Sequence, residues 1–336
     1  MALKHRKMFF TMLGLSISIV FLWLAFRKSN LDEIRNAMNH ANWLFAPLVV
    51  VTLAVYFGFK TLRWKQLLIP IARIKTSSLY SVVVVGYAAN LILPAQMGEL
   101  VRTYLAGQKF MIPSAPVFIT VVLERMFDFL AIMLFIGFLL PITKNVPPEL
   151  ILAGYVCATI GLLMLSVVVT HIMRPAVFTG VVKSMVRMVP LPYRKVIIDR
   201  FDIATIGLES LRDPRRFMFI AMNSLIQWLL MGICTFFAIA ALQIDVPISA
   251  AFIVLAVVVV GMTIPSSPGF FGTIQFCFTI GLAPFGIAPG PAIAASIYFH
   301  GLLFISVAVG GLAFVRFLGY TPHGLVQASE VRSSEP

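Results

Sequence analysis

The sequence predicts an all-α, polytopic integral membrane helical bundle with two re-entrant or broken helical hairpins and an inverted repeat. Of its 336 residues, 60% are hydrophobic and only 12% charged, and the mean hydropathy is +0.97. Those values exclude an ordinary soluble domain. Apolar runs recur along the whole chain, and two neighbouring pairs of runs are short and interrupted by Pro and Gly, as broken membrane helices are. Lys and Arg gather between alternate runs, as cytoplasmic loops require.

The first run, about 9 to 26, follows a charged start and ends at Arg27 and Lys28 without a small-residue cleavage site. It is long enough to span and is expected to be retained rather than removed as a signal peptide. A second run covers 44 to 59. The third, 79 to 93, is followed by LPAQMGELVRTYLAG, residues 93 to 107. Pro94 stops that helix, Gly98 lets the chain fold back, and a weakly apolar arm returns through Val101, Tyr104, Leu105, Phe110 and Met111. Runs at 115 to 140, 150 to 171 and 217 to 241 come next. Two short runs, 249 to 264 and 270 to 284, are split by PSSPGFFG, in which Pro265, Pro268, Gly269 and Gly272 are the hinges; they form either a second hairpin or two full crossings. The run from 291 to 315 is last.

Charge orients these elements. With the N-terminus inside and 79 to 112 as a hairpin, Lys60, Arg63, Lys65, Arg73, Lys75, Arg102, Lys109 and the nine cations between Arg174 and Arg216 all lie on the inner side. Only Arg27, Lys28, Arg35 and Lys144 fall outside. A transmembrane domain over 1–320 then divides into halves 1–140 and 150–316 of opposite topology. Between them, the connector 172–216 has the interleaved pattern of cytoplasmic amphipathic helices. The polar tail, 321–336, is expected to be disordered and cytoplasmic.

The formal net charge of +13 is spread over these loops, where it meets lipid headgroups, so nucleic acid is not an expected partner. Cys157, Cys234 and Cys277, and the five scattered His residues, have no metal-ligand or disulfide spacing. Walker, HExxH and GxSxG patterns are missing. Neither a metal nor another cofactor is expected.

Ionisable residues at membrane depth are costly and commonly serve a site. TVVLERMFDFLAIM, residues 120 to 133, sets Glu124 and Asp128 at i, i+4 and Arg125 and Asp128 at i, i+3 on one helix. Glu99 and Arg102 repeat the i, i+3 spacing in the hairpin. Two readings stay open. These residues pin the hairpin to the long helix as ion pairs, or they line a polar cavity for a lipid headgroup, with Arg102 or Arg125 meeting phosphate and the carboxylates meeting amines or carrying protons. In the second broken element Ser266, Ser267 and Gln275 are candidate lining residues, with Tyr298 and His300 approaching from the last helix.

PAQMGELVRTYL followed by TVVLERMFDFLAIM resembles the flippase-like transmembrane family typified by the membrane region of lysylphosphatidylglycerol synthase. The pattern pairs a Pro and GELxR with a later ERxxD, here Pro94, Gly98, Glu99, Leu100 and Arg102, then Glu124, Arg125 and Asp128. NWLFAPLVV and LRWKQLL, within Asn42 to Leu68, resemble the family's second segment and first cytoplasmic turn. The resemblance implies a multi-pass protein of the bacterial inner membrane, with both termini cytoplasmic, that moves polar or anionic lipids between leaflets. Its substrates would be an anionic phospholipid, glycolipid, hopanoid or polyprenyl lipid, and its protein partners a second copy or a lipid-biosynthetic enzyme. The aminoacyl-transferase domain of the synthase members has no room after the last helix, so a non-enzyme is expected, with an intramembrane lipid-modifying transferase or a structural protein as the alternatives. The second motif departs from the family pattern: PGFFGTIQ puts Phe270 and Gln275 where Gly and Glu are usual, and Phe299 stands in for an Arg. A different headgroup follows from that departure.

Overall fold

The structure, a computed structural model, describes residues 2–93, 97–143, 148–174, 180, 184, 211–264 and 266–318. Among the described residues there are eleven α-helices and no strand. Pro94, Pro265, most of the connector (175–210 except 180 and 184) and the tail lie outside them. Helix α1 is Ala2–Phe26, α2 Leu31–Asn39, α3 Phe45–Leu68, α4 Thr76–Ile92, α5 Gly98–Phe110, α6 Ser114–Ile142 and α7 Pro148–Met173. Helices α8 (Pro214–Ala241), α9 (Ile248–Thr263), α10 (Thr273–Leu282) and α11 (Pro289–Phe317) complete the chain.

Among the described residues four stretches are long and apolar enough to cross a membrane: Phe45–Leu68, Pro214–Ala241, Pro268–Phe285 and Pro289–Arg316. The third is not one continuous helix. Gly269, Phe270 and Gly272 have φ of 71°, 59° and 86°, and the unbroken α-helical part is the ten residues of α10, about 15 Å long. That is half of a hydrocarbon core of about 30 Å. Helices α9 and α10 instead fold back on each other, with Gly281 against Val254 and Gly261 against the Cys277 sulfur. They form the two arms of a helical hairpin.

The first hairpin is built the same way. Helix α4 ends at Ile92 and α5 starts at Gly98, and the Gly98 amide donates to Asn90 Oδ1 at 2.6 Å. A Cβ at Gly98 would run into the Gly86 carbonyl, and one at Gly86 would lie 2.7 Å from Arg102 Cβ. Two glycines facing each other therefore let the arms close. Helix α5 stops at Met111, whose φ of 52° is left-handed.

One part of the sequence reading is corrected here. The apolar run that ends at 59 is continued by helix to Leu68, and Lys60 and Arg63, placed by charge in an inner loop, are 1% and 0% exposed. Their helix face, Leu53, Tyr56, Phe57, Lys60, Arg63, Trp64 and Leu67, is buried along its whole length. The ends of the connector are also helical, residues 172 and 173 in α7 and 214 to 216 in α8. Asp213 caps α8 by accepting from the Arg215 amide at 3.0 Å, ahead of Pro214 at the first helical position.

Packing repeats between the halves. Helices α3 and α8 pair at the centre. Helix α4 packs on α11 as α9 packs on α6, α5 on α6 as α10 on α11, and α3 on α4 as α8 on α9. The outer helices break the pattern, since α7 lies along α6 whereas α1 lies on α10. Gly14 and Gly272 make that second contact: a Cβ on either would meet the backbone of Ser266 or Ser18.

Candidate functional site

Helices α3, α5, α6 and α8 hold a buried charge network. Asp128 on α6 is its hub, 5% exposed. It takes Lys60 Nζ at 3.3 Å, Arg63 Nη2 at 2.8 Å and Arg125 Nη1 at 3.6 Å, and it accepts from the Trp228 indole at 3.3 Å. One turn back, Glu124 pairs with Arg102 and with Arg63 at 3.5 Å. Glu99 pairs with Arg125. Arg63 Nη1 also donates to Ser224 Oγ at 2.8 Å, which ties α3 to α8.

All five charges that the sequence singled out are thus brought together, though Glu99 and Arg102 each reach across to α6 rather than to each other. Lys60 and Arg63 were missed because their charge read as a cytoplasmic loop signal. The 3–4-residue period of their helix was the signal that would have found them.

Four cations, Lys60, Arg63, Arg102 and Arg125, face three carboxylates, so the network carries one surplus positive charge. Each carboxylate has a cation beside it, Glu99 only Arg125, and Glu99 Oε1 is buried with no hydrogen-bond partner among the described residues. The guanidinium groups are not all satisfied: Arg63 Nε, Arg102 Nε and Nη1, and Arg125 Nε are buried with no hydrogen-bond partner among the described residues. Arg102 is sealed in, 2% exposed, with its guanidinium 4.4 Å over the Trp64 ring. Arg125 is the open one, with a side chain 39% exposed.

Arg125 and Asp128 line a cavity of about 230 Å³ at the middle of the bundle. The two hairpins meet there: Tyr87 and Asn90 come from the end of α4, Gly269 and Phe270 from the turn before α10, and that turn packs on α4. Tyr87 accepts from Arg125 Nη2 at 3.4 Å, and Lys60 Nζ stands 5.4 Å from the Tyr87 ring centre. Across the cavity, His300 from α11 takes the Gln275 amide at 3.3 Å. Gln275 Oε1 in turn accepts from the Gly272 amide at 2.8 Å. Nδ1 of His300 is the acceptor when the amide donates, which puts the ring proton on Nε2.

The remaining candidates sit elsewhere. Ser266 and Ser267 are buried but face α1, with the Ser267 amide donating to Ser18 Oγ at 2.7 Å; neither lines the cavity. Tyr298 is two residues from His300 and so points to the opposite side of α11. It donates to the Asn42 carbonyl at 3.3 Å and packs on Trp43. Gln275 reaches the cavity only through His300. Pro268, Gly269 and Gly272 shape the turn. Among the described residues no group of His, Cys, Asp and Glu is arranged to hold a metal.

Fold and site together define a multi-pass helical membrane protein with a charged core and two broken hairpins meeting at a central cavity. The family described as the lysylphosphatidylglycerol synthase TM region matches residues 11–311, and the chain belongs to it. A curated relative, "Glycosyltransferase AglD" from Haloferax volcanii, is 22% identical over 353 residues. The match takes in 96% of this chain and 57% of the relative, so the chain spans little more than half of that protein's length. No solved structure matches the chain.

Proposed function

We propose that the protein carries a lipid with an anionic headgroup between the leaflets of its membrane, as a flippase-like transporter or scramblase. The observation that carries this reading is the surplus positive charge of the network together with the single exposed guanidinium, Arg125, on the cavity wall. Asp128 and Glu124, each held by two or more cations, offer little to an amine, whereas the part-exposed Arg125 guanidinium offers phosphate a charge-assisted donor. A charge at the bilayer centre costs about 2.5 to 3.5 kcal/mol on insertion scales, and the Arg125 guanidinium on the cavity wall lowers that barrier by supplying a polar stop along the way. The lipid class is left as anionic phospholipid, glycolipid or polyprenyl lipid. In this reading the chain sits in a bacterial inner membrane with its N-terminus and the connector 172–216 cytoplasmic, and the halves 1–140 and 150–316 are inverted counterparts.

The family supports a role in lipid metabolism or traffic, and the name of the archaeal relative supports glycolipid pathways. That name also favours a second reading, an intramembrane lipid-modifying transferase. The geometry counts against it, because Asp128, the carboxylate lining the cavity, is held by three cations and an indole and is unsuited to act as a general base. Reconstitution into liposomes with labelled anionic, zwitterionic and glycolipid substrates separates the two. Transport predicts leaflet exchange of the anionic label with no new product by lipid mass spectrometry; a transferase predicts a new product.

A further inference from the structure

Outside the cavity a second hollow, about 250 Å³, runs between α4 and α11, and all twelve residues that line it are apolar. It shares Leu91 and Phe304 with the central cavity, so the two spaces abut at those side chains. The helices are antiparallel along it: Leu91 lies at the Phe304 end, and Tyr80 meets Phe314 edge-on at 5.7 Å between ring centres. From Phe304 to Val315 the slot follows α11 for about 16 Å. One leaflet of a hydrocarbon core of about 30 Å is the same length. Its floor is formed by small residues at the helix contact, where Gly311 abuts Ala88, and its outer rim by Leu312, 58% exposed.

We propose that this slot holds one hydrocarbon chain of the lipid whose headgroup meets Arg125. The proposal rests on the headgroup reading above and deepens it by assigning the tail. Leu91 and Phe304 form the throat between the charged and the apolar compartments, so headgroup and chain are held on either side of them. The match to one leaflet's depth and the wholly apolar wall select an extended alkyl or isoprenoid chain. A sugar or phosphate has no partner there.

The test is photolabelling of the full chain in liposomes with phosphatidylglycerol bearing a diazirine on one acyl chain, and with phosphatidylcholine bearing the same group. The expected result is adducts on residues 85–92 and 304–315 from the anionic probe, displaced by excess unlabelled phosphatidylglycerol but not by phosphatidylcholine. Filling the slot by Ala308→Phe should abolish them, and Leu312→Trp, at the exposed rim, provides a second block should the first fail to fold. Equal labelling from both probes, adducts that survive competition, or adducts only elsewhere would overturn the proposal, the first two by showing that bulk lipid fills the slot. If slot labelling fails while an Arg125-dependent headgroup exchange persists, the tail assignment falls alone. Specific slot labelling without exchange would leave the tail site standing and remove translocation instead.

Discussion

Asp128 and Arg125 are one helical turn apart and carry opposite demands. Asp128 balances Lys60 and Arg63, which are buried to 1% and 0% exposure. Removing it leaves Lys60 without a carboxylate and Arg63 with Glu124 alone, and an uncompensated charge in low dielectric typically costs about 3 to 5 kcal/mol. Asp128→Ala is therefore expected to lower the unfolding temperature of the detergent-solubilised protein strongly. Arg125→Ala, whose side chain is 39% exposed and whose partner Glu99 is 20% exposed, should lower that temperature much less while abolishing exchange of an anionic lipid. A thermal shift of the same size in both variants would contradict this division of labour. The acid and base pattern of 120 to 133 was readable in the sequence because its spacing is local. The contributions of Lys60 and Arg63 were not, because a Lys or Arg at the end of an apolar run has the same composition whether it faces cytoplasm or a carboxylate on another helix. Ser266, Ser267 and Tyr298 were polar candidates whose direction depends on which neighbour covers them, and spacing does not encode that.

At the scale of the element, the hairpins follow from backbone chemistry. Short apolar arms flanked by Pro and Gly announced both, and the structure adds why glycine is needed. Gly98 faces Gly86 across the first hairpin, and Gly272 combines a φ of 86° with contact to the Ser18 backbone. Alanine at Gly272 meets a left-handed conformation that costs about 1 to 2 kcal/mol, together with a clash. Gly98→Ala and Gly272→Ala are both expected to unfold at lower temperature than wild type, and an unshifted melt for Gly272→Ala would contradict the tight α1 contact. Topology gives a sharper check. In a background without Cys157, Cys234 and Cys277, single cysteines at Lys75 and Ile112, at the two ends of the first hairpin, should react with an impermeant maleimide from the same side of the membrane. Labelling from opposite sides would mean that the segment crosses. The extent of α3 was underestimated because hydropathy falls at Lys60 although the helix does not end there.

For the whole molecule, the repeated order of helices could be read from hydropathy alone, but the way the halves lock could not. The central pairing of α3 with α8, and the seating of α4 on α11 and of α9 on α6, place the charged residues of one half opposite His300 and the Phe270 turn of the other. No periodicity in a single sequence specifies which distant helix covers which face. The asymmetry between the halves is chemical as well: Arg125 and Asp128 mark one wall of the cavity, and the neutral His300–Gln275 pair marks the other. In the proposed transport, a site charged on one side only would receive one end of a headgroup by charge and the rest by fit.

Leaflet exchange of fluorescent phosphatidylglycerol in liposomes, followed by quenching with an impermeant reductant, tests this account most directly. Wild-type protein is predicted to make nearly all of the label accessible, whereas Arg125→Ala, still folded by its melting transition, should leave the inner-leaflet half protected. Equal accessibility for the two proteins would contradict the assignment of the cavity as the headgroup site.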